Sequence, residues 1–162
     1  TIALAVAAAG IEALRRWVPV VNVWLWRLFP TTFRSWETQR ILGSTWLAAG
    51  MLGAFLLYGR DVGGTAVLFL IWGDPAAELV GRRWGRPGKG KTVVGSLGCL
   101  VACLVAGIVG IGHGGLSPWT VLAGAVVATL AERAPLPLDD NVWIPLLSGL
   151  AMVVVEYLVT LV

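Results

Sequence analysis

Charge is what this sequence has least of. Only 13% of its 162 residues are Asp, Glu, Lys or Arg, against about a quarter in a soluble domain. Apolar residues make up 57%, and the mean hydropathy is +0.83. That balance excludes an ordinary soluble domain and argues for a chain solvated by lipid. Acids are scarcer than bases, 9 against 12. The basic excess is clumped between long apolar runs, which reads as a membrane signature, and no nucleic-acid partner is expected. Cysteine is nearly absent. Cys99 and Cys103 stand four apart in an apolar run, a spacing that suits a disulfide poorly, so they read as packing residues. The one histidine, His113, sits in a glycine-rich turn with nothing to pair with. No alternation of strand-like and helix-like stretches occurs, which excludes a soluble α/β fold. The sequence opens on Thr1 rather than Met, so we expect a natural chain with a longer N-terminus.

What is abundant is apolar sequence. A spanning helix needs roughly twenty mostly apolar residues. Ile41–Tyr58, Val93–Ile111 and Val142–Val162 approach or meet that length. Leu116–Glu132 is shorter, the first fourteen residues read as a span cut short, and 64–72 becomes long enough by running on into GDPAAELVGRR. The expectation is one all-α domain over residues 1–162, a polytopic integral membrane bundle of about six transmembrane helices. Its 21 glycines suit close helix packing in lipid. Residues 15–40 interleave Trp17, Trp24, Trp26 and Trp36 with Arg16, Arg27, Arg34 and Arg40. Aromatic and basic residues together favour the headgroup level, so this segment predicts an interfacial amphipathic helix broken near Pro30.

The basic residues also set the topology. Arg15, Arg16, Arg27, Arg34 and Arg40 follow the first span; Arg82, Arg83, Arg86, Lys89 and Lys91 follow the third; Arg133 follows the fifth. Only Arg60 is left for the other connections. These three connections, among them the basic loop 82–92, are therefore expected on the cytoplasmic side. Glu37, Asp74, Glu78, Glu132, Asp139 and Asp140 fall toward the same side. Acids within a membrane are costly and usually face a cavity with a task.

Asp74 and Glu78 are four apart, on one helical face. Asp74 precedes Pro75 and also reads as the cap of a helix beginning there. Two carboxylates on one face suit Mg²⁺, which takes one or two carboxylates plus substrate phosphates. GRPGKGKT, Gly85–Thr92, matches the pattern of a nucleotide-binding phosphate loop. No strand precedes it and a membrane span follows it, so the soluble hydrolase fold is rejected. Its cations, its glycines and a helix N-terminus near Thr92 still suit phosphate. In ATLAERAPLPLDDNVWIPL, Glu132, Asp139, Asp140 and Asn141 add oxygen ligands, although Asp and Asn before a helix also serve as caps.

The order of RSWETQRILGSTW, GDPAAELVGRRWG, KTVVGS and the late DDNVWIPL resembles the polyprenol kinase family, which includes dolichol kinase, phytol kinase and a CTP-dependent diacylglycerol kinase. The matching segments are Gly73–Arg82, Lys91–Ser96 and Asp140–Pro145. The resemblance implies a CTP-dependent phosphotransferase acting on the hydroxyl of a lipid alcohol, with a divalent cation. It implies Asp74, Asp140 and Lys91 as catalytic residues, and Asp74, Glu78, Glu132 and Asp140 around Mg²⁺. Arg82, Arg83, Lys89, Lys91, Thr92, Ser96 and Asn141 would hold the nucleotide. The partners implied are a lipid alcohol, a nucleoside triphosphate and membrane lipid, with the active site on the cytoplasmic side of the inner membrane and a homodimer left open. Two alternatives are kept. One is a phosphatidate cytidylyltransferase-like enzyme, whose later H-G-G-x-x-D-R is only partly matched by HGGLSPW. The other is a small cation-binding transporter, which would more often show internal repetition.

Overall fold

The computed structural model describes residues 2–28, 40–86 and 90–161. Six helices account for the regular structure, and no strand occurs among the described residues. They are α1 (Ile2–Trp17), α2 (Pro19–Leu28), α3 (Gly43–Trp84), α4 (Val93–Gly114), α5 (Pro118–Arg133) and α6 (Asp140–Thr160).

The caps follow from the sequence. Thr92 Oγ1 accepts from Gly95 N–H at 3.1 Å and starts α4, which closes on Gly115 at φ 64. Ser117 caps α5 ahead of Pro118. Asp139 caps α6 by accepting from Asn141 N–H at 3.1 Å.

α3 is a hairpin rather than one rod. Gly59 has φ 72 and ψ −164, outside helical geometry. A Cβ on Gly63 would lie 2.6 Å from the Ala54 carbonyl oxygen. Nine residues along an unbroken helix span about 14 Å, so the chain must double back between them. The second arm then continues through Asp74 and Pro75. The reading of Asp74 as a helix cap is therefore corrected: Asp74 is a mid-helix residue, and the break lies fifteen residues earlier, at Gly59.

Among the described residues, three helices, α3, α4 and α6, are long and apolar enough to cross a membrane, with mean hydropathies of 1.4, 2.4 and 2.0. α5, at 16 residues, spans about 24 Å at 1.5 Å per residue. The outward face of α4 carries Leu97, Val101, Val105 and Ile108, all exposed, as a lipid-facing surface would.

α3 packs against both α4 and α6, and α5 lies against α4 and α6. Phe69, Ile144 and Met152 fill the core. Cys99 and Cys103 are buried free thiols whose sulfurs stand 4.0 Å apart. Both bear on Gly73, where a Cβ would come within 2.7 Å of Cys103 Sγ. Gly50 meets the Asn141 carbonyl so closely that any side chain would overlap it. Tyr58 O–H donates to the Leu146 carbonyl at 2.7 Å, locking the first arm of α3 to α6.

Arg15 was expected at headgroup level and is instead buried. It pairs with Glu12 at 2.7 Å, and its guanidinium also reaches the Arg40 carbonyl. Glu12 further accepts from Leu42 N–H at 3.2 Å. This cluster fastens α1 to the start of α3. The helical break observed in this region is at Val18, between α1 and α2. Pro30, Arg34, Trp36 and Glu37 lie outside the described residues.

Candidate functional site

The C-terminal ends of α3 and α5 and the N-terminal ends of α4 and α6 meet at one end of the bundle. Between them lies a cavity of about 560 Å³, within the range of small-molecule sites. α3 supplies Asp74, Glu78 and Arg82 to its wall, and the following turn supplies Arg86. Lys91 and Thr92 enter from the start of α4, Glu132 from the end of α5, and Asp139, Asp140 and Asn141 from the start of α6. Five carboxylates and three cations thus face one space.

The floor is made of small residues. Ala77 and Gly81 are four apart on α3 and face Gly95 of α4, and Gly85, which caps α3, packs on Thr92. A Cβ on Gly95 would sit 2.7 Å from the Ala77 carbonyl. Larger residues would separate the helices and carry Asp74 away from Lys91. These small residues were not among the expected site residues. Their signal was the spacing itself, which lines up one face of a helix.

Lys91 is the hub. Its ammonium is 2.6 Å from Asp140 Oδ2 and 3.8 Å from Glu132 Oε1, and it donates to the Glu132 backbone carbonyl. Glu132 is 5% exposed, and its Oε2 has no hydrogen-bond partner. A buried carboxylate oxygen left unpaired is costly and marks a place where a cation or donor is wanted. Among the described residues, no three His, Cys, Asp or Glu side chains stand together as a formed metal site. The oxygen donors nonetheless suit a hard divalent cation.

The remaining expected site residues divide. Glu78 and Arg82 form an exposed ion pair one turn apart on the cavity wall. Thr92 lines the cavity while capping α4, and Asn141 lines it while its amide donates to Asp139. Arg83 does not line the cavity and instead lies over the Trp84 ring, 6.0 Å from its centre. Ser96 is buried behind the wall, donating to the Thr92 carbonyl and accepting from Arg133 at 3.4 Å. Lys89 lies outside the described residues. His113 and Glu156 are at the opposite end, where Glu156 accepts from Ser117 N–H and Thr120 O–H.

No protein-family profile matches the chain, and no solved structure matches it. Three curated fungal proteins do, each named CTP-dependent diacylglycerol kinase 1. That of Eremothecium gossypii is 28% identical over 88% of this chain and 53% of its own length. That of Saccharomyces cerevisiae is 27% identical over 83% and 55%. That of Schizosaccharomyces pombe is 31% identical over 61% and 55%. The chain thus spans about half the length of the relatives it matches.

Proposed function

We propose that this chain, a member of the polyprenol- and diacylglycerol-kinase-like family, moves the γ-phosphate of CTP onto the hydroxyl of a lipid alcohol. The observation that carries this is the cavity, where metal-type carboxylates and phosphate-type cations share one space at the end of an apolar bundle. The acceptor is diacylglycerol, a polyprenol or dolichol, or phytol. We read the two arms of α3, with α1, α4, α5 and α6, as six passes through the membrane. The arginine-rich end then lies in the cytoplasm, and residues 15–40 lie at the interface.

Phosphoryl transfer asks a protein for alignment and charge neutralisation more than for covalent chemistry. Asp74, Glu132 and Asp140 would hold Mg²⁺, with Glu78 as a further ligand, and the unpaired Glu132 Oε2 supports that fit. The chemistry Mg²⁺ supplies when bound is neutralisation of charge on the triphosphate oxygens. Lys91, Arg82 and Arg86 face the same space and bind the phosphates, with Arg83 and Lys89 adding to the field of the loop. Thr92 and Asn141 position the nucleotide from two helix starts, and Ser96 steadies Thr92 from behind. The acceptor oxygen bonds to the γ-phosphorus, the bond from that phosphorus to the β,γ-bridging oxygen breaks, and CDP leaves. The hydroxyl proton passes to a cavity carboxylate, Asp74 or Asp140.

The test uses full-length protein in detergent with Mg²⁺, dioleoylglycerol, polyprenol, phytol and phosphatidate. CTP is labelled in separate runs on the γ-phosphate and on the cytosine. γ-Label alone in the lipid phase is the expected result, lost on chelation with EDTA and in a folded Asp74→Asn variant. Cytosine label in the lipid identifies a cytidylyltransferase and overturns the kinase reading. Full activity in Asp74→Asn overturns the site.

A further inference from the structure

A second cavity of about 500 Å³ adjoins the first. Its walls are Lys91, Asp140, Arg133 and the turn Ala134–Pro135–Leu136 between α5 and α6. Lys91 and Asp140 are the two residues common to both cavities, so their ion pair is the shared wall. The two spaces differ in chemistry. The first holds five carboxylates, whereas the second has one carboxylate, two cations and three apolar residues. That is a poor place for a second metal–triphosphate and a good one for the polar end of a lipid.

The surface of α5 leads toward it. Leu122, Val126 and Leu130 are exposed and four residues apart, so they form one stripe that ends a turn before Arg133. Leu138, just beyond the turn, is exposed as well. An acyl or isoprenoid chain laid along this stripe brings its head to Arg133 and its hydroxyl to Asp140. Arg133 gives Ser96 one long hydrogen bond, 3.4 Å. A guanidinium carries five N–H donors, which leaves donors for the oxygens of a lipid head.

Resting on the kinase reading, we propose that this second cavity is the acceptor site. The lipid alcohol enters over α5, Arg133 and Leu136 position its head, and its hydroxyl meets the γ-phosphate across the Lys91–Asp140 wall. The hydroxyl gives its proton to a cavity carboxylate as the new O–P bond forms, and the bond from phosphorus to the bridging oxygen of CTP breaks to release CDP.

Leu136→Trp fills this cavity, and Arg133→Ala removes its donor. The readouts, on full-length protein, are the KM for dioleoylglycerol and for polyprenol in mixed micelles, the Kd for CTP by equilibrium dialysis, and the melting temperature. The expected result is a rise of tenfold or more in lipid KM for Leu136→Trp, with the CTP Kd within twofold of wild type. An unchanged lipid KM, or equal loss of CTP binding, overturns the acceptor site while leaving the kinase reading in place. A dioleoylglycerol analogue with a diazirine near its head removes any dependence on the variants folding. Crosslinks within 130–138 support the site, and crosslinks confined to other segments overturn it. Wild-type protein that passes no γ-phosphate to either alcohol overturns the kinase reading and this inference with it.

Discussion

Replacing Lys91 by Met removes the ammonium that joins two carboxylates from different helices. The side chains of Lys91 and Asp140 are 39% and 30% exposed, so solvent screens their pair to about 1 kcal/mol. Glu132 differs. Its side chain is 7% exposed, Lys91 stands 3.8 Å away, and its Oε2 has no partner. Stranding such a group costs about 1–3 kcal/mol. The sum is about 2–4 kcal/mol, read as a fall of about 4–16 °C at 2–4 °C per kcal/mol for a chain of this size. The assay is thermal unfolding in detergent, without nucleotide or Mg²⁺, of Lys91→Met, Asp140→Asn and the double variant. The double variant should be less destabilised than the sum of the singles by about 1 kcal/mol, because the interaction is lost only once. Additivity within about 0.3 kcal/mol would show that Lys91 and Asp140 do not interact and would refute the geometry of the shared wall.

Glu156→Ala separates stability from the site. It removes an acceptor for Ser117 N–H and Thr120 O–H at the far end of the bundle. Each bond to a charged acceptor is worth about 1.5–3 kcal/mol, so the melting temperature should drop by several degrees while the KM for CTP stays within twofold. Gly50→Val should do the reverse. Its side chain would overlap the Asn141 carbonyl, and overpacking of that kind costs about 1–3 kcal/mol. Displacement of the start of α6 should lower turnover at least tenfold, measured as γ-phosphate transfer in protein that still elutes as a folded species.

The helical class was legible because long apolar runs punctuated by Thr92, Ser117 and Asp139 leave little choice of secondary structure. The turn between the two arms of α3 was legible too, since Ile41–Tyr58 and 64–72 read as separate spans, but the residue at which it falls, Gly59, was not. In YGRDVGG nothing local distinguishes Gly59 from Gly63 and Gly64; the packing of Gly63 on Ala54 reveals the turn. Asp74–Pro75 misled because proline is common at a helix start and costs about 3 kcal/mol in a helix interior. Tertiary packing decided it, with two thiols seated against Gly73 and α4 close beside Ala77. The cavity residues stood out because charge is rare in this chain. Long side chains were harder to orient. Lys91 reaches 41 residues ahead to Glu132 and 49 to Asp140, a direction no local pattern encodes. Arg15 looked like a surface anchor, yet Glu12 one turn earlier draws it inward.

The hub has a consequence for biosynthesis. A ribosome adds about 5–20 residues per second, and Asp140 follows Lys91 by 49 residues. For about 2–10 s a growing chain therefore carries the loop cations without Glu132, Asp139 or Asp140. Lys91 therefore stands without its two carboxylate partners until α5 and α6 have been made and have docked.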